Sequence, residues 1–123
     1  QWGIHSRFES ELFERYRPRL RVHPEPIASV KPARDLIFDV LAGSFPLTQP
    51  ILDADRAAVA DRDLYDDQYF TIFFSKVQPI LERRLAEAIT NSASLIAAAW
   101  IEAGRPALPV EQKRLPRKVR REG

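Results

Sequence analysis

His5 and Glu9 stand four residues apart in the stretch Gly3-Ile4-His5-Ser6-Arg7-Phe8-Glu9. On an α-helix that spacing puts both side chains on one face, about one turn apart. A neutral imidazole nitrogen and a carboxylate oxygen so placed can bind one divalent metal from the same side. The rest of the chain holds little other metal-binding vocabulary, with no cysteine and His23 as the second of two histidines. Zinc needs three or four protein ligands. If His5 and Glu9 hold a metal, most of its ligands therefore lie outside these 123 residues.

At about 100° per residue, Glu9 falls about 40° from His5, Leu12 and Tyr16 about 20°, and Phe8 about 60°. Ser6, Arg7, Ser10, Glu11, Glu14 and Arg15 fill the opposite side. The periodicity thus predicts that His5 and Glu9 lie within the apolar stripe and face the core. An ionised carboxylate pointing inward is costly unless a partner or a metal compensates it. The plain alternative is a half-buried His–Glu pair bonded to each other.

The segment resembles the G-[aromatic or aliphatic]-H-S-[basic]-[aromatic]-E stretch of the zinc-dependent phospholipase C family, itself related to the single-strand-specific zinc nucleases. The match is specific over about ten residues. It implies an all-α enzyme with three zinc ions at the base of a cleft. In such an enzyme His5 and Glu9 complete one zinc site together with a His from an earlier helix. The nuclease branch more often has Asp at the second position, so Glu9 tilts the resemblance toward the phospholipases. The family's remaining ligands come from an N-terminal tryptophan and from upstream His and Asp residues. Trp2, three residues before His5, is not read as that tryptophan. The expectation is a C-terminal piece of a longer protein, beginning just before its last zinc-ligating helix.

The positive charge is uneven. Residues 111–123 carry six basic and two acidic residues, whereas the whole chain carries 19 and 17. The other 110 residues therefore hold 13 basic and 15 acidic ones, a net of −2. The body has no basic face suited to nucleic acid, and any anionic surface or acidic partner would be met by the tail. Hydrophobic residues make up 45% of the chain, enough for a core, yet no apolar run is long enough to span a membrane. The lack of cysteine suits a reducing compartment or a secreted protein without disulfides, so localisation stays open.

Five helical segments are expected to position the site. The first covers residues 6–16 and stops before Pro18. Residues 17–31, with Pro18, Pro24 and Pro26, form a connector, and His23 before Pro24 is a loop residue. The second helix starts near Pro32 and buries Leu36, Ile37, Val40 and Leu41. The third covers 49–59, with Ile51, Leu52 and Ala58 inward. The acidic run of residues 61–67 lacks the glycine and glutamate of an EF-hand loop, so Asp63 or Asp66 is expected to cap the next helix. The fourth carries Tyr69, Phe70, Ile72, Phe73, Phe74 and Val77, which read as core rather than as a lip for an acyl chain. Pro79 is expected to break it, and the fifth runs over 79–103 to a stop at Gly104-Arg105-Pro106.

The sequence therefore predicts an all-α, antiparallel bundle of about five helices over residues 1–105, with an extended, basic, flexible tail over 106–123 that the fold does not need. The function expected is the C-terminal part of a zinc-dependent phospholipase C-like phosphodiesterase, inactive alone. Its partner would be the N-terminal part of the same protein, and its substrate a phosphodiester or phospholipid. The competing expectation is a helical interaction module in which His5 and Glu9 are a structural pair. No GxSxG, CxxC, HExxH or glycine-rich phosphate loop adds a second site.

Overall fold

The structure, a computed structural model, describes residues 3–60 and 64–108. Those residues are all-α, without a strand among them. A short α1 (Ile4–Ser6) passes through a π turn (Arg7–Glu11) into α2 (Leu12–Tyr16). Three longer helices come next: α3 (Ala33–Ser44), α4 (Thr48–Val59) and α5 (Asp67–Glu102). The five-helix expectation is thus corrected at both ends. The first segment is interrupted, and the fourth and fifth are one 36-residue helix.

Pro79 lies inside α5 and does not end it. Proline removes the N–H that would bond the carbonyl of Ser75 and crowds that carbonyl. Both Pro79 and Ser75 are exposed, so the freed carbonyl is on the wet side of the helix. The buried side, with Phe73, Phe74, Val77 and Leu81, continues across the proline and holds the axis together. The helix ends are as expected. Asp66 caps the start, accepting from the Tyr69 N–H at 2.8 Å. At the other end Gly104 is left-handed, with φ 82°. Its N–H bonds the Ile101 carbonyl while Arg105 N–H bonds that of Trp100, a Schellman closure.

The core gathers on the first half of α5. Tyr69, Phe70, Phe73, Phe74, Val77 and Leu81 are buried against Leu12 from α2 and Ala54 and Ala58 from α4. Tyr16 stacks on Phe74 with ring centroids 4.0 Å apart, and Phe8 packs toward Phe73. These aromatics are core, not an exposed lip. Arg15 lies over Phe70 and Arg19 over Phe74, so basic side chains close the solvent edge of the cluster. The second half of α5 is different. α3 meets it through Leu36, but Ile37, Phe38 and Leu41 turn outward, correcting the expectation that Ile37 and Leu41 are inner positions.

The proline-rich connector is strapped along α5. Glu82 accepts the Arg21 backbone N–H at 2.8 Å, and Thr90 donates to the Glu25 carbonyl at 2.7 Å. Eight helical residues rise about 12 Å. Four connector residues reach that far only near full extension, about 13 Å. Pro24 and Pro26 favour that extended state. Pro106 to Leu108 are exposed, and the rest of the expected tail lies outside the described residues.

Two outcomes test this packing. Phe73→Ala should cost about 3–5 kcal/mol in urea unfolding, whereas Ile96→Ala, at a position 72% exposed, should change it little. The Glu82 carboxyl is held below its ordinary 4.5 by the Gln78 amide and then by the Arg21 N–H. Its contribution is therefore complete above the ordinary value and is lost as pH falls through the lowered folded one. Glu82→Gln should lower stability at pH 7 and flatten the acid limb of a melting-temperature profile. An unchanged acid limb would show that the strap does not depend on that carboxylate.

Candidate functional site

The first segment does not run as one α-helix, and this decides where its side chains point. The Leu12 N–H bonds the Arg7 carbonyl, five residues back instead of four. The turn thereby absorbs about one extra residue, which rotates the later positions back by about 100°. Ile4, Arg7, Phe8, Leu12 and Tyr16 then share the inward direction, and His5 and Glu9 fall to its flank. Arg7 and Leu12 are buried accordingly.

The inward orientation expected of His5 and Glu9 is therefore corrected. Their side chains are 84% and 58% exposed. They do share a face, and His5 Nδ1 lies 3.3 Å from Glu9 Oε1. Glu9, but not His5, borders a groove of about 440 Å³ whose apolar walls are Phe8, Leu47, Ile51, Leu81 and Leu85. Among the described residues no group of three or more His, Cys, Asp or Glu comes together to hold a metal. His23 is exposed in the connector, beside Glu25 and Thr90 in a separate hollow.

The residue periodicity places outward, Arg7, is the one buried deepest in the segment after Leu12. Its Nη2 donates to Asp55 Oδ1 at 2.9 Å and its Nε to the Tyr69 hydroxyl at 2.9 Å. The same hydroxyl donates to Asp55 Oδ1 at 2.6 Å, closing a three-sided ring. Asp55 is 1% exposed and Arg7 4%. The guanidinium also lies 3.7 Å over the Tyr65 ring. Burial opposes the charge on Arg7, but the bonds to Asp55 and Tyr69 outweigh it and raise its pKa. Burial first, and then the bond to Asp55, push the Tyr69 phenol upward, so it stays a donor at any physiological pH.

Gly3 completes the local logic. It is left-handed, with φ 77°, and a Cβ there would come 3.3 Å from Arg7 Nη1. Only glycine meets both conditions without strain. The Gly3 carbonyl accepts the Arg7 N–H at 3.1 Å, so the motif's glycine and arginine are joined through backbone as well.

The members of this ring lie far apart in sequence, and no motif joins them. One signal was present: Asp55 shares the apolar side of α4 with Ile51, Ala54 and Ala58, at helical spacing. A carboxylate within such a stripe requires a buried partner. The arginine that supplies it is 48 positions away.

No protein-family model, no curated protein and no solved structure matches the chain.

The ring should behave as a unit. Removing the carboxylate with Asp55→Ala leaves Arg7 buried and uncompensated, at about 3–5 kcal/mol. Tyr69→Phe removes one donor, at about 1–3 kcal/mol. The double variant should lose less than the sum, with a coupling of about 0.5–3 kcal/mol in a denaturation cycle. Strict additivity would mean that the hydroxyl and carboxylate act separately.

Proposed function

We propose that this chain is the C-terminal part of a zinc-dependent phospholipase C-like phosphodiesterase, in which His5 and Glu9 supply two zinc ligands. The observation that carries the proposal is the exposed pair on one helical face, with donor atoms 3.3 Å apart. Zinc bonds of about 2.0–2.1 Å at a tetrahedral angle put two ligand atoms about 3.3 Å from each other. An imidazole nitrogen and a carboxylate oxygen are a donor set zinc accepts, and the exposure of both leaves room for ligands from another part of the protein. Bound zinc would polarise phosphoryl oxygens and acidify a water. His5 and Glu9 would hold it rather than act as the base.

The rest of the protein would also cover apolar surface. Ile37, Phe38, Leu41 and Phe45 are 51%, 59%, 58% and 82% exposed on the outer side of α3 and the turn after it. A helix apolar on both sides ordinarily lies between neighbours. The same patch favours the competing function, a non-catalytic helical interaction module with His5 and Glu9 as a structural pair. Metal content separates the two.

In the full-length protein, His5→Ala or Glu9→Ala should lower zinc content and phosphodiesterase activity together. Loss of a direct ligand should exceed the roughly 10–100-fold typical of changes in the groups behind the ligands. The 123-residue chain alone should bind zinc only weakly and be inactive. Full zinc content in both variants would exclude the ligand role, and tight stoichiometric binding by the chain alone would contradict the count of only two ligands within it.

A further inference from the structure

We propose that Arg7, held by Asp55 and Tyr69, is the positioning residue of the His5–Glu9 face: it fixes the π turn and so sets where the two donors point. The use of that face rests on the zinc role proposed above, but the geometry does not.

Arg7 lies midway between His5 and Glu9 on the same stretch of backbone. Its guanidinium is oriented by groups from elsewhere in the fold: Asp55 on α4, Tyr69 on α5, and the Tyr65 ring ahead of α5. Leu12, five residues on, is fully buried in the core. In an unbroken α-helix Arg7 and Leu12 would lie about 140° apart and could not both be buried on one side. The π turn reconciles them. Were Arg7 released, Leu12 would still be held by the core, and the segment could relax to regular helix. That relaxed helix has the phase the sequence predicts, in which His5 and Glu9 turn inward. Ile4 and Phe8 pack partly buried on the same side, and the ring adds the directed bonds that hold the turn and keep the two donors at the surface.

Stability does not require such a device. A buried ion pair replaced by well-packed apolar side chains is often as stable or more so. What the ion pair adds is direction, because its bonds hold the guanidinium in one orientation. Gly3 is consistent with this role, since any larger residue would press on the Arg7 guanidinium.

The test separates direction from stability. In the 123-residue chain, broadening of the His5 ring resonances by a soluble nitroxide reports how open that ring is to solvent, without any metal. It is compared in the native background and in the triple variant Arg7→Ser, Asp55→Leu, Tyr69→Phe, in which position 7 gains nothing from burial. The triple variant should stay folded and lose at least half of that broadening as His5 turns inward. In the full-length protein it should bind zinc at least tenfold more weakly. If the triple variant does not fold, Tyr69→Phe alone should reduce the broadening in the folded protein. A folded variant with the broadening and the zinc affinity both unchanged overturns the proposal. If the broadening depends on the ring while His5→Ala and Glu9→Ala leave zinc untouched, positioning stands and the zinc role falls. If zinc depends on His5 and Glu9 but neither zinc nor the broadening depends on the ring, the positioning role alone falls.

Discussion

A guanidinium and a carboxylate, each almost wholly removed from water, meet between three segments of this chain. Taking both out of solvent carries a desolvation cost of several kcal/mol per ion before any attraction is counted. Their tyrosine partner matters for that reason. By accepting from Arg7 and donating to Asp55, the Tyr69 hydroxyl brings a neutral dipole into line with both charges. The ring ties the N-terminal segment to α4 and α5 through groups 48 and 62 positions apart in sequence. Directed bonds leave little freedom of rotation at that junction, whereas the surrounding Leu12, Ala58 and Phe73 contacts would tolerate some.

The remainder of the core is organised around the same end of α5. Aromatic residues on successive turns are enclosed by α2 and α4, and arginines lie across their outer edges. Beyond Leu81 the helix is covered on fewer sides. The connector and α3 lie along it, joined by Arg21–Glu82, Glu25–Thr90 and Arg84–Ser44 bonds more than by apolar contact. Ile89 and Ile96 remain more than half exposed there, as do Ile37, Phe38 and Leu41 on α3. The chain thus has one tightly packed end, which holds the His5–Glu9 face, and one open end with apolar surface to be covered.

The helical character and the helix caps were legible because local signals dictate them, whereas the division into five helices was not. Asp66 at the start of α5, Gly104 at its end and Pro32 before α3 act within one turn of their own positions. Asp63, the other cap candidate, lies outside the described residues. The shared face of His5 and Glu9 was equally local, since a four-residue spacing brings them together on any helical turn. Pro79 was misleading because its cost depends on which side of the helix it faces, and that is decided by what packs opposite.

The sequence by itself determined the helical class, the aromatic core of α5 and the pairing of His5 with Glu9. Whether that pair faces the core or the solvent was decided only in the tertiary structure. Periodicity assumes an unbroken helix. The π turn that breaks it forms because Arg7 and Leu12 are claimed by partners on the same side of the segment. One of those partners is Asp55, distant in sequence, and no window along the chain contains both ends of that bond. Local propensity could therefore give the pair but not its direction, because the phase of a helix is set by what buries it.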